Sequence, residues 1–144
     1  MLVCIGELSS RIVRADRHEL KSFESSSQVA RYYMEDMRHL ERERFMLLLL
    51  DNKCGLIHES VLSEGTVNYT CISVRDIFRD ALNYGAVCLV MLHNHPSGDP
   101  SPSREDISST EAVKEAGRLI GITLLDHIII GDNRYFSFKE QNII

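Results

Sequence analysis

The sequence predicts an α/β domain in which helices cover a mostly buried β-sheet. Strand-length apolar runs at residues 45–50 and 86–92 alternate with segments whose apolar residues recur at helical spacing. A chain of 144 residues is long enough for one domain that buries roughly two thirds of its unfolded surface. Because strands and helices alternate along the chain, a layered arrangement is the fold class that these residues favour.

The first half of the chain predicts a helix followed by a β-hairpin. Serines at positions 25–27 offer an N-cap, and apolar residues at helical spacing follow them. The first apolar run indicates a buried strand, and the glycine-containing turn after it allows the next strand to pair back. The predicted elements are a helix over about 27–40, a strand over 45–50, a turn over 52–55 and a strand from 56 to about 62.

The second half predicts two further helices, each followed by a strand. Ser73 begins one helix, with Asp76 three residues later as in a capping box, and Gly85 ends it. All three prolines lie between residues 96 and 102, where they form a stiff loop. The remaining predicted elements are a strand over 86–93, a helix from Ser103 to about 119 closed by Gly121, a strand over 122–130 that Asp126 and His127 interrupt, and a strand over 134–138.

Composition excludes several functional classes. The formal net charge of −5 argues against a broad phosphate-binding surface, although four basic residues, Arg11, Arg14, Arg17 and Lys21, lie close together near the start. We interpret those four as a solvated flank. No apolar run approaches the roughly 18 residues that span a membrane, and the N-terminus lacks the features of a signal peptide. The sequence therefore predicts a cytoplasmic protein without a membrane partner.

The cysteines predict no disulfide framework. The four residues, Cys4, Cys54, Cys71 and Cys88, form no CxxC pair and lie in unrelated contexts. Reduced, buried or half-buried thiols are the expected state of such a set in a cytoplasmic protein. Cys88 lies inside an apolar run, so we expect it to be a small core residue.

One stretch of the sequence, residues 93–106, contains side chains that could bind a metal ion. His93 and His95 stand two residues apart on an extended chain, so their side chains share a face with Cα atoms about 7 Å apart. Asp106 can add a carboxylate from the first turn of the next helix, and Ser103 adds a hydroxyl beside it. Three candidate ligands and a polar neighbour suit an open metal site better than a closed structural one.

The same residues resemble a known family. The spacing His93-x-His95-x7-Ser103-x2-Asp106 matches the zinc signature of JAMM metallopeptidases, also called MPN+ or JAB. The string from residue 93 to 107, together with residues 75–78 and 125–131, resembles the RadC branch of that superfamily over about residues 30–144. The resemblance implies a three-layer fold of the JAB/MPN, cytidine-deaminase-like type, with a mixed sheet flanked by helices. It also implies a division into a flank at 1–24, left from an upstream linker without its helix-hairpin-helix region, and a domain at 25–144.

The resemblance further implies the roles of the site residues. A zinc ion would be held by His93, His95 and Asp106, with water in the fourth position, and a glutamate at the start of an early strand would act as general base. Glu43 fits that position, and Ser103 would stabilise the oxyanion. Serine followed three residues later by aspartate is also a capping box in its own right, so a capping role for Ser103 competes with the oxyanion role.

Several assignments stay open on the sequence alone. Glu41, Glu59 and Glu64 are alternatives to Glu43, which we favour because the resembling pattern places a glutamate just ahead of the strand that begins with Phe45. Asp126 and His127 form either a buried polar pair that ties strands together or a pair that orients a metal ligand. We expect Asn94 to have a structural role and Asp99 to be an exposed loop residue.

The predicted function is that of a zinc-dependent hydrolase acting on a peptide or isopeptide bond in an unknown protein or peptide substrate. The alternatives are a DNA-repair accessory, with DNA or DNA-repair proteins as partners, and a non-catalytic interaction module. A homodimer through the hairpin at 55–65 is compatible with the residues. The string His93-Asn94-His95 does not indicate an HNH nuclease, whose motif residues are spread along a ββα unit. A zinc deaminase is set aside because the chain lacks His-x-Glu and CxxC.

Overall fold

The computed structural model describes residues 22–65 and 72–144. Within these ranges the chain forms three helices and five strands, whose bounds agree with the predicted elements to within a few residues at each end. They are, in chain order, α1 (Ser26–Met37), β1 (Arg44–Leu50), β2 (Leu56–Glu64), α2 (Val74–Asn83), β3 (Cys88–Asn94), α3 (Arg104–Ile120), β4 (Thr123–Ile130) and β5 (Tyr135–Ser137).

The strands form one mixed sheet in the order β2-β1-β3-β4-β5. The hairpin β1–β2 is antiparallel, and β1 also pairs antiparallel with β3. Only the β3–β4 pair is parallel among the described strands, and α3 provides the crossover that a parallel pair requires. β3 therefore lies at the centre of the sheet, with the start of α3 following its carboxyl end.

Helices cover both faces of the sheet, which confirms the predicted three-layer α/β fold. On one face, Tyr33 and Met37 of α1 pack in a cluster with Leu48, Leu92 and other strand residues of even number. On the other face, α2 and α3 pack on Leu47, Met91 and their neighbours. The apolar runs are buried along their whole length because both of their alternating faces meet a helix layer.

The predicted N-cap serines of α1 and α2 and the predicted C-terminal glycine of α3 cap their helices, whereas α2 has Tyr84 as its C-cap, one residue before the predicted Gly85. Ser25 accepts a hydrogen bond from the amide of Gln28 at the start of α1, and Ser73 accepts one from Asp76 at the start of α2. α3 ends at Gly121, whose φ of +85° is the left-handed conformation that glycine adopts without strain. α1 ends three residues before the predicted position at 40, although Leu40 still packs against the same cluster.

The predicted interruption of the fourth strand is wrong. β4 runs continuously from Thr123 to Ile130 because both polar residues within it have buried partners. The carboxylate of Asp126 accepts hydrogen bonds from the Ser137 hydroxyl at 2.6 Å and the Lys139 amide at 3.0 Å. An extra residue, Leu125, has no partner on β3, so the register shifts at this point.

The flank and its features lie mostly outside the described residues. This applies to the four basic residues near the start and to Cys4 and Cys71, and the division between flank and domain stays a prediction. Phe23, which the predicted boundary assigns to the flank, is buried in the core beside α1. Cys54 and Cys88 are free thiols, and Cys88 is a buried core residue as predicted. Across 22–65 and 72–144, no helix has the length and apolar character needed to span a membrane.

Gly117 on α3 tests the packing of that helix against the turn into β4. A Cβ at this position would lie 2.3 Å from the carbonyl oxygen of Ile122, closer than real contacts allow. Alanine favours a helix over glycine by about 1 kcal/mol, but the clash should dominate. We expect Gly117→Ala to lower the free energy of unfolding by about 1–3 kcal/mol in urea denaturation. Ser108→Ala, at an exposed position of the same helix, should change it by less than about 0.5 kcal/mol. Equal stability of the two variants would contradict this close packing.

Candidate metal centre

The candidate centre lies where β3 ends and α3 begins. Backbone hydrogen bonds fix the intervening loop: the His95 amide donates to Ile130 O, and the Gly98 amide donates to His95 O, both at 2.9 Å. A Cβ on Gly131 would lie 2.4 Å from Gly98 O. The loop therefore packs against the end of β4 at a distance that only glycine allows, and it cannot move without breaking these contacts.

Asp106 reaches the same point from the first turn of α3. Its Oδ2 atom accepts hydrogen bonds from the Ser103 amide and hydroxyl, each at 2.7 Å, and the Ser103 hydroxyl accepts from the Asp106 amide at 3.1 Å. This capping box fixes the carboxylate, and the helix N-terminus favours its ionised form. The other oxygen, Oδ1, faces His93 Nε2.

The predicted ligand atoms converge. His93 Nε2 lies 3.1 Å from His95 Nε2 and 3.1 Å from Asp106 Oδ1, and His95 Nε2 lies 3.4 Å from Asp106 Oδ2. His93 and Asp106 are fully buried, whereas the His95 side chain retains 15% of its exposure. Two overlapping sets of side chains bring ligand atoms within 4.8 Å of one another, namely Glu43-His93-His95 and His93-Asp106-His127. These side chains are positioned to hold a metal ion.

The hydrogen bonds around the two histidines fit a cation. His95 Nδ1 lies 2.9 Å from the carbonyl oxygen of Asp99, which can only accept, so Nδ1 carries a proton. In neutral His95 the lone pair is then on Nε2, facing His93 and Asp106. Asp106 Oδ1 is buried and has no hydrogen-bond partner among the described residues, although His93 Nε2 is nearby. Electron-pair donors at such distances repel one another unless a cation or a proton lies between them.

The pKa shifts have the same electrostatic origin. Burial raises the pKa of Asp106, but its contacts with His93 and His95 outweigh burial and hold that pKa well below its usual range. The hydrogen bond to Asp106 raises the pKa of His95. The carboxylate is therefore ionised at neutral pH, and it attracts positive charge to this group of nitrogens.

Glu43 immediately precedes β1 and reaches the centre from its open side. Its Oε1 atom lies 3.6 Å from His93 Nε2, and its side chain is 25% exposed. The buried side chain of Asn94 makes hydrogen bonds on both sides of Glu43, accepting from the Arg44 amide at 2.8 Å and donating to Arg42 O at 3.2 Å. Asn94 is thus structural, as predicted, and its contacts hold the backbone of Glu43 next to the end of β3.

The alternative glutamates have other surroundings. The carboxylate of Glu59 accepts a hydrogen bond from the Tyr33 hydroxyl of α1, on the opposite face of the sheet. Glu64 forms an ion pair with Arg44 at 2.9 Å, and Glu41 is exposed. Of the four candidates, Glu43 alone is among the described groups of converging ligand atoms.

Asp126 and His127 do not form a pair. They point to opposite faces of β4, so Asp126 ties that strand to the segment around Ser137, whereas His127 lies behind His93. His127 is fully buried, and this burial lowers its pKa well below the usual value. Its ring contacts Thr110 of α3, which sequence reasoning missed. Thr110 lies four residues after Asp106 and therefore on the same buried face of the helix. That spacing is the feature of the sequence that could have indicated a place for Thr110 near the centre.

Asp99 is exposed, as predicted. Its side chain accepts hydrogen bonds from the amide and hydroxyl of Ser101, which lower its pKa, and only its backbone oxygen contacts His95. Asp99 therefore helps orient a histidine through the main chain without lining the centre itself.

The fold and the converging side chains together define an α/β domain with a candidate metal centre at the end of its central strand. The family model described as a RadC-like JAB domain matches residues 23–143. The chain therefore belongs to the RadC-like JAB domain family.

Several curated relatives are similar to the chain. The UPF0758 protein of Bacillus cereus strain AH187 is 44% identical over 143 residues, which are 99% of this chain and 64% of the relative. The corresponding proteins of Bacillus anthracis strain A0248 and Bacillus thuringiensis subsp. konkukian strain 97-27 are each 43% identical over the same shares. The chain thus spans less than two thirds of the length of these relatives, whose names state no activity.

Asn94 provides a test of how Glu43 is held. Asn94→Ala leaves the Arg44 amide without its acceptor, at a cost of about 1 kcal/mol per lost bond. We expect the Arg44 amide to exchange with deuterium about five- to tenfold faster, as measured by NMR. Asn52→Ala, in the exposed turn between β1 and β2, is the control and should leave that rate unchanged. Unchanged Arg44 exchange in Asn94→Ala would contradict the positioning role of the Asn94 amide.

Proposed function

We propose that the domain is a zinc-dependent hydrolase of peptide or isopeptide bonds, in which His93, His95 and Asp106 hold the metal ion. The observation that carries the proposal is the convergence of two imidazole Nε2 atoms and a buried carboxylate, whose Oδ1 lies 3.1 Å from His93 Nε2 and whose Oδ2 lies 3.4 Å from His95 Nε2. The resemblance of the same residues to the JAMM signature supports the choice of reaction.

Zinc is the metal that best suits this donor set. Two imidazoles and one carboxylate form a three-ligand set of the kind that catalytic zinc sites use, with one coordination position left for water or substrate. A zinc ion in such a site lowers the pKa of its water to about 7 and polarises a bound carbonyl. The partial exposure of His95 and Glu43 leaves a side of the centre accessible to a substrate.

Glu43 is the proposed general base. Its carboxylate lies 3.6 Å from His93 Nε2 and therefore next to the position that a water would occupy beside the ligands. From there it can accept a proton from the attacking water and later donate that proton to the leaving amine. Its attachment to β1, held by Asn94, keeps the carboxylate beside the ligands on a rigid element.

Ser103 is the proposed oxyanion donor. Its hydroxyl proton is directed at Asp106 Oδ2 in the capping box, so it must turn away from that oxygen to reach a substrate. The Ser103 backbone amide also donates to the same oxygen, and this contact would keep the carboxylate in place during such a rotation. The physiological substrate is proposed only by class, as a protein or a peptide.

Zinc binding tests the ligand set. The purified chain should bind about one zinc ion, and His95→Ala and Asp106→Ala should lose it, as measured by metal analysis after dialysis. His39→Ala replaces an exposed histidine two residues after α1 and should keep the metal. Equal zinc retention by the His95→Ala and His39→Ala variants would contradict the assignment.

The role of Glu43 is tested separately from metal binding. Glu43→Gln should retain zinc but hydrolyse a cleavable peptide or isopeptide substrate at least about 10²-fold more slowly, because only the carboxylate can accept the proton. Glu41→Gln, at an exposed position two residues earlier, should match the wild-type rate. Full turnover by Glu43→Gln would exclude Glu43 as the base.

A further inference from the structure

A continuous buried hydrogen-bond chain runs from His93 to the backbone of Asp106. His93 Nδ1 lies 2.8 Å from His127 Nε2, and His127 Nδ1 lies 2.7 Å from Thr110 Oγ1. Thr110 Oγ1 lies 2.6 Å from the carbonyl oxygen of Asp106. His93 and His127 are fully buried and Thr110 is 1% exposed, so these contacts are shielded from bulk solvent.

The position of every proton in this hydrogen-bond chain follows from the group at its end, the carbonyl oxygen of Asp106. A carbonyl oxygen only accepts, so the Thr110 hydroxyl donates its single proton to Asp106 O. Thr110 Oγ1 must then accept from His127 Nδ1–H, which leaves the Nε2 atom of neutral His127 as an acceptor. That acceptor requires a proton on His93 Nδ1. The Nε2 atom of neutral His93 is therefore unprotonated, on the side where His95, Asp106 and Glu43 lie.

We infer that Thr110 and His127 are positioning residues that hold His93 in the Nδ1–H tautomer, with its Nε2 lone pair directed into the metal centre. The inference deepens the proposed function and rests on it. His127 acts only through His93, since its own Nε2 atom is occupied by the His93 Nδ1 proton. Histidine ligands commonly need such an outer partner to fix the ring and its tautomer.

Packing supports the same role. The His93 ring stacks on Phe45 with centroids 5.3 Å apart, and the His127 ring stacks on Phe138 at 4.9 Å. These stacking contacts hold the plane of each imidazole ring. The hydrogen bonds then determine how the ring is turned within that plane. The hydrogen-bond chain ends on the carbonyl oxygen of Asp106. It therefore also links His93, the candidate ligand on β3, to Asp106, the candidate ligand on α3. The separation of the two ligands is thereby fixed by contacts behind the centre.

Matched variants of Thr110 test the relay, that is, the hydrogen-bond chain from His93 through His127 and Thr110 to the carbonyl oxygen of Asp106. Thr110→Val keeps the shape but removes the hydroxyl, whereas Thr110→Ser keeps the hydroxyl. Measured by competition with a chromophoric chelator, zinc affinity should fall about tenfold or more in Thr110→Val and stay within about threefold of wild type in Thr110→Ser. Wild-type affinity in Thr110→Val, or an equal loss in both variants, would overturn the relay.

The tautomers provide a second readout that a general packing defect would not mimic. In zinc-free protein labelled with ¹⁵N-histidine, long-range NMR correlations should show His127 protonated at Nδ1 and unprotonated at Nε2, and His93 protonated at Nδ1. A proton on His127 Nε2 in the wild type would refute the inference. These tautomers are read without metal, so a failure of the wild type to bind zinc would refute the proposed function alone. Zinc binding that is unaffected in Thr110→Val would refute the relay alone.

Discussion

The candidate centre depends on one constraint: its electron-pair donors lie close enough together to repel one another. His93 Nε2, His95 Nε2 and the Asp106 carboxylate lie 3.1–3.4 Å apart in a largely buried site, an arrangement that is unfavourable unless a cation or protons lie between them. The surrounding elements all serve to keep these groups together. The end of β3 supplies the histidines, the capped start of α3 supplies the carboxylate, and the loop between them is fixed against β4.

Local patterns in the sequence predicted most of the secondary structure and the converging residues. His93, His95 and Asp106 lie within fourteen consecutive positions on one strand, one loop and one helical turn. Their approach to one another therefore follows from strand alternation and helix capping, which short stretches encode. The same holds for the caps at Ser25 and Ser73, and for the fully apolar strands, whose composition already indicated helices on both faces.

Contacts between distant residues could not be predicted in this way. Asn94 brackets Glu43 from about fifty positions away, and Thr110 meets His127 only because β4 pairs in parallel with β3. The continuity of β4 depends on hydrogen bonds to Asp126 from Ser137 and Lys139, residues whose proximity no periodicity reveals. Buried polar residues look like strand breaks in a sequence until their partners are known. Non-local contacts are also those that hold Glu43 and His93 in the candidate centre.

The proposed ligand set is tested most directly by the position of the metal ion in zinc-loaded crystals, located by anomalous diffraction at the zinc edge. We expect one ion about 2.0–2.2 Å from His93 Nε2, His95 Nε2 and an oxygen of Asp106, with Glu43 and His127 outside the ligand set. An ion bound elsewhere, or one coordinated by His127 in place of His95, would contradict it.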